Sequence, residues 1–210
     1  LEILGIKMSK TLSFAPYLSS QAAATRRIAG VIGRMSVYLP PAPLAAAARS
    51  LVAGRLGYGT AAAGRPRLDH EAVADGAHQA IQTAINDVAR AALRCRRSDR
   101  VSVNTLLRKT GLPTFNSIVV KAVALEGWRA ISSFSQTTTP LSSLTVDPRH
   151  NQRSTRASED GKVKPRSRFA LTTFTSHAVD VWNAAPCLRE ARTLTAARSA
   201  ARRLAQSCPL

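Results

Sequence analysis

Apolar positions recur at helical spacing over most of this 210-residue chain. The opening string LEILGIKMSKTLSF differs: Ile3, Leu4, Ile6, Leu12 and Phe14 predict two short strands about a turn. Pro16 suits the first turn of a helix, whose inner stripe is read as Ile28, Ile32, Met35 and Leu39. The string LPPAP stops that helix, and a second one is expected to carry Leu44, Ala48, Leu51 and Arg55 on one side until the glycines of GRLGYG end it. The clearest helix spans His70 to Leu93, with Val73, Ala77, Ile81, Ile85 or Ala84, Val88 and Ala92 as its stripe and Asp69 as its cap.

A pair of helices is expected around Gly111-Leu112-Pro113. The second is apolar nearly all round, through Ile118, Val119, Val120, Ala122, Val123, Ala124 and Leu125, with only Asn116, Ser117 and Lys121 polar. A helix that reads a DNA groove needs a polar outer face, so this one belongs in a core. Residues 136–168 are rich in Ser, Thr and Pro and hold seven basic against three acidic side chains, which predicts a disordered basic linker. FALTTF is a short strand candidate. A helix with Phe174, Ala178, Val181 and Trp182 then runs to Pro186, and a last one, capped by Thr193, turns Leu194, Ala197, Ala201 and Leu204 inward. The expected architecture is mainly α: a hairpin over 1–15, helices over 16–67 and 68–135, the linker over 136–168 and a helical segment over 169–210.

Charge adds the strongest functional constraint. Thirty basic against 12 acidic residues give a net charge of +18, and Arg outnumbers Lys 24 to 6. Such a charge calls for an anionic partner, and nucleic acid is the commonest. A GC-rich gene would inflate Arg, Ala and Pro together, but it would not thin out the acids. From Ile3 to Leu68 there is no Asp or Glu, against seven Arg and two Lys. Arg27 and Arg34 fall on one helix face with Arg26 beside them; Arg90, Arg94 and Arg97 are expected along a common edge; Arg198 and Arg202 lie four apart on the last helix, near Arg192 and Arg203. For Arg90, Arg94 and Arg97 a bland role at a helix C-terminus competes with binding.

The chemistry of bond making is thin. Glu159-Asp160 is the one adjacent acidic pair, and Asp69 and Glu71 flank His70 without a further carboxylate cluster for a two-metal site. His70, His78, His150 and His177 lack zinc spacing, and there is no Walker loop and no Gly-x-Gly-x-x-Gly. Cys95, Cys187 and Cys208 form no Cys-x-x-Cys pair, which argues against a disulfide framework and makes a reducing compartment, nuclear or cytoplasmic, the default. Arg49 and Arg55 interrupt the longest apolar run, so no membrane partner is expected. An acid-poor, Arg-bearing start can also be an organelle transit peptide, but this one is long and patterned as if folded.

Five strings carry a resemblance: LEILGIKMSKTLSFAPYLS, LVAGRLGYGT, IQTAINDVARAALRCRRSDRVSVNTLLRKTGLPTFNSIVVKAVALEGWRA, TRAS and HAVDVWNAAPCLREARTLTAARSAARRLAQSCPL. In this order they resemble the region after the catalytic palm in non-LTR retrotransposon reverse transcriptases. The resemblance implies that Leu4-Gly5-Ile6 is a primer-grip-like hairpin, that the helices from Pro16 to Leu56 are a thumb beside the template–primer duplex, and that residues beyond His70 are the family's C-terminal extension. It also implies that the Tyr-x-Asp-Asp core and its Mg²⁺ belong to a palm outside this chain, which starts at Leu1 and reads as a fragment. Ile3, Leu4 and Phe14 would pack on that palm. RNA, DNA and the palm and finger domains are the implied partners, no cofactor is implied for the chain itself, and no residue in it inherits catalysis. Two other readings stand beside this one: an inert remnant of a decayed element, and a basic organelle-targeted RNA-binding protein.

Overall fold

A computed structural model describes residues 2–11, 13–68, 76–132 and 174–208. Leu12, the Asp69 cap and Val73, the basic linker and most of the FALTTF string lie outside the described residues. Within them the chain is mainly helical: nine α-helices, one 3₁₀ turn and a two-stranded antiparallel sheet. Two compact units divide it, Leu1–Gly64 with Val73–Ile118 and Arg65–Ala72 with Val119–Pro209. The first unit therefore joins helices expected over 16–67 with part of the 68–135 segment.

In the first unit, β1 (Glu2–Ile3) pairs with β2 (Ile6–Lys7) in the register Glu2 opposite Lys7 and Ile3 opposite Ile6. Leu4 and Gly5 make the turn with φ of 49° and 78°, the two positive values that a type I′ hairpin needs. α1 (Ala15–Met35) begins with Pro16 in its first turn. α2 (Pro41–Gly57) and the short α3 (Thr60–Ala63) follow. α4 (Gly76–Leu93) packs along α1, and a 3₁₀ turn (Arg97–Asp99) leads to α5 (Val103–Thr110).

The core of this unit is built from small and medium side chains. Ile81, Ala84, Ile85, Val88, Ala89 and Ala92 of α4 are fully buried, as is Ile32 of α1. Alanines at a helix contact let the backbones approach closely, so a chain poor in aromatics can still exclude water. Ile28, Met35 and Leu39 are only half-buried, and the deepest part of α1 is its first half, at Tyr17, Leu18, Gln21, Ala22 and Thr25. Thr25 and Thr110 are buried because each hydroxyl donates back to its own helix, to Gln21 O and Leu106 O at 2.8 Å.

The inner face of α2 differs from its expectation. Leu44, Ala45, Ala48, Val52 and Leu56 are buried, whereas Leu51 is 42% exposed and Arg55 is exposed. The true stripe steps by four residues, and an alanine-rich helix gives too little contrast to choose between steps of three and four.

In the second unit, α6 (Phe115–Ser132), from Val119 onward, is a core helix, with Val119, Val120, Val123 and Ala124 buried. Gly127 lies against α7 (Phe174–Ala184): a Cβ on it would stand 3.3 Å from that of Ala178. The indole N–H of Trp128 donates to Ala191 O at 2.9 Å. α8 (Pro186–Arg189) is a single turn, and α9 (Leu194–Ser207) starts at Thr193, whose hydroxyl accepts from the Ala196 N–H at 3.2 Å. Ala197, Ala200, Ala201 and Ala205 make the buried side of α9, with Leu194 and Leu204 half-buried at its margin.

Candidate nucleic-acid interface

α1 turns its polar side to solvent in the first unit. Arg26, Arg27 and Arg34 are all exposed, on the side opposite Tyr17, Gln21, Thr25 and Ile32. Arg27 and Arg34, seven apart, stand in one row, and Arg26 flanks the same face. Between the two edges lie only small exposed residues, Ser19, Ala23 and Gly30. A Cβ on Gly30 would meet nothing closer than Nη1 of Arg34 at 3.9 Å, so this guanidinium folds back along the helix, as helical side chains do. The two ion pairs among the described residues, Arg97–Asp87 and Arg129–Glu126, leave these three arginines out. What results is a low ridge with guanidinium donors on both sides and, among the described residues, no carboxylate paired with them. Such a face can hold phosphate oxygens and offers nothing that reads base edges.

α4 ends at Leu93, so Arg94 and Arg97 lie beyond the helix that carries Arg90. The Cys95 N–H bonds Arg90 O at 3.0 Å and the Arg94 N–H bonds Ala91 O at 3.3 Å, a Schellman closure with Arg94 in the left-handed position at φ 56°. The Arg94 guanidinium then reaches the C-terminal end of α1, donating to Ser36 O and, at 2.9 Å, to Leu39 O. Arg97 is held by Asp87 through two bonds of 2.9 and 3.0 Å. Arg90 is half-buried, with its Nε lacking a hydrogen-bond partner. Arg94 thus closes the turn that follows α1, a helix packed against its own.

Two further arginines do the same. Arg49 of α2 donates to Thr110 O, the last carbonyl of α5, at 2.7 Å. Arg189 donates to Trp182 O and Asn183 O at the end of α7, at 3.0 and 2.9 Å. The sequence marks none of these pairings, since their partners are backbone groups. Arg198 and Arg202 are exposed on α9, four apart, with Arg203 beside them and Arg192, also exposed, just before the helix.

The Leu4-Gly5-Ile6 turn is pinned from below. The Tyr58 hydroxyl donates to Leu4 O at 2.5 Å, and the Tyr17 hydroxyl donates to Tyr58 O. Gly59, at φ 68°, sits against this junction: a Cβ there would lie 2.6 Å from the Tyr17 oxygen and 3.1 Å from Ile6 Cδ1. Burial pushes the Tyr17 phenol above its usual range, with Gln21 and Arg55 working in the opposite direction. Leu4 itself is 83% and Ile3 50% exposed. The GYG triplet inside LVAGRLGYGT was legible as a helix stop but not as the seat of the hairpin.

Among the described residues no three of His, Cys, Asp and Glu gather where they could hold a metal ion. Asp87 is committed to Arg97 and Asp99 to the Arg96 N–H. The three cysteines are free thiols. Among the described residues no helix is long and apolar enough to cross a membrane. No protein-family model, curated protein or solved structure matches the chain.

Proposed function

We propose that this chain is a non-catalytic, nucleic-acid-binding part of a non-LTR retrotransposon reverse transcriptase, in which the first unit holds the template–primer duplex by its phosphates. The observation that carries the reading is the outer face of α1, where Arg26, Arg27 and Arg34 stand exposed in a stretch with no acidic residue from Ile3 to Leu68. The ordered resemblance of the five strings supplies the family, and the net charge of +18 supplies the class of partner. In this reading Leu4-Gly5-Ile6 is the primer-grip-like turn, Arg198 and Arg202 are a secondary contact, and bond making with Mg²⁺ belongs to the palm. Arg90, Arg94 and Arg97 rank behind the α1 face in this reading, because Arg94 already donates to Ser36 O and Leu39 O and Arg97 to Asp87.

The test is filter binding of the full chain to a blunt RNA–DNA hybrid over a range of salt concentrations. Affinity is expected to fall steeply and linearly on a double-logarithmic plot, because each neutralised phosphate releases counterions. An affinity indifferent to salt would sink the reading.

A further inference from the structure

The outer face of α1 carries one residue that phosphate binding does not explain. The helical winding continues past Met35: the Ser36 N–H bonds Ile32 O at 2.9 Å, and the Tyr38 and Leu39 N–H groups both bond Met35 O at 3.0 Å. Tyr38 therefore extends the row of Arg27, Val31 and Arg34 at positions i, i+4, i+7 and i+11. It is 85% exposed, with Val37 beside it at 75% and Val31 at 37%, whereas Tyr17 and Phe115 are 2% exposed. A lone exposed apolar side chain needs no explanation. An uncovered ring at the end of a row of unneutralised guanidiniums is different. Arg34 leaves the ring open, because its guanidinium lies back over Gly30. Arg34 and Tyr38 are one turn apart, their Cβ atoms about 6 Å from each other, so a guanidinium swung forward from Gly30 can hold a phosphate whose base lies on the ring.

We propose that Tyr38 is a stacking platform for an unpaired base whose strand is held at its phosphates by Arg34 and Arg27. Every base offers a π-face, so such a platform is indifferent to sequence, and stacking needs a base that is free of its pair. A base inside a blunt duplex cannot reach the ring, whereas a single strand or an overhang can. This inference rests on the phosphate-holding reading and narrows it: the ridge binds where paired and unpaired nucleic acid meet. RNA and DNA share the chemistry, and the probes below separate them.

The experiment is fluorescence anisotropy of the full chain with four probes of equal length: oligo-dT, oligo-rU, a blunt RNA–DNA hybrid, and the same hybrid with a single-stranded overhang. Tyr38→Ala is expected to weaken binding to single strands and to the overhang about tenfold, with an unchanged salt slope and no effect on the blunt hybrid. Tyr38→Trp is expected to retain wild-type affinity, since the ring and not the hydroxyl is used. A loss on one sugar only would assign the platform to that polymer. Wild-type affinity of Tyr38→Ala for single strands, or an equal loss on the blunt hybrid, overturns the proposal and leaves the ridge intact. That result together with reduced self-association would assign Tyr38 to a contact between copies instead. A wild-type chain that binds all four probes without salt dependence overturns both readings at once.

Discussion

The hydroxyl of Tyr17, in the first turns of α1, donates to the backbone carbonyl of Tyr58, 41 residues further along, and the hydroxyl of Tyr58 donates to the carbonyl of Leu4. Two tyrosines thus fasten the hairpin turn to the helical core, although the strands themselves are only two residues long. A hairpin of that size has no stability of its own. It persists because the junction under it is rigid.

Gly59 closes that junction, so Gly59→Ala should destabilise the first unit by about 2 kcal/mol or more, from the positive φ and the collision with Tyr17 together. Gly33→Ala is the control. It lies inside α1 with nothing within 4 Å of its would-be Cβ, and should gain up to about 1 kcal/mol from helix propensity. Chemical denaturation curves of the two variants should move in opposite directions.

The raised Tyr17 phenol makes an alkaline prediction. The folded state favours the neutral phenol, so its contribution is complete below the ordinary tyrosine value of about 10 and is lost as pH rises through the elevated one. Tyr17→Phe should therefore lose about 1 kcal/mol near neutrality, from the missing hydrogen bond, and should be less sensitive to pH above that range. Denaturation midpoints measured from pH 7 to 11 for both proteins check the sign.

Arg94 combines a left-handed backbone with a capping side chain. Arg94→Ala keeps the backbone penalty and loses the cap, costing about 1 kcal/mol. Arg94→Gly loses the cap but also the penalty, and should melt close to wild type. An alanine variant as stable as the glycine one would remove the strain from the account.

Replacing Arg26, Arg27 and Arg34 together by Gln should reduce the salt slope for duplex binding by about 2 to 3, at roughly 0.9 per phosphate contact, without shifting the melting temperature. Arg97→Gln should change the slope by less, since Asp87 already holds that guanidinium. Equal slopes for the triple variant and wild type would move the binding face elsewhere.

Much of the helical plan can be read from local chemistry. Pro16 marks the start of α1, Thr193 caps α9, and the all-round apolar run of α6 announces a core helix. The face of α2 is not legible, because Ala45, Ala46, Ala47 and Ala48 offer no contrast and Leu51 and Val52 compete for the same stripe. Nor does spacing say which arginines are free. Arg26 and Arg27 look like Arg94 and Arg97 in the sequence, but the second pair finds its partners in the carbonyls of Ser36 and Leu39, just past α1, and in Asp87, set by tertiary packing. Tyr58 was invisible for the same reason: its partner is the backbone of a turn 54 residues away.

Arg49, Arg94 and Arg189 each end on carbonyls at or just past a helix terminus and not on an aspartate or glutamate. An acidic partner would fix the side chain and cancel its charge. A peptide dipole fixes it and cancels almost nothing. The molecule can thus immobilise its cations one by one while the field it projects stays nearly whole, so internal order and long-range pull on a polyanion need not be traded against each other.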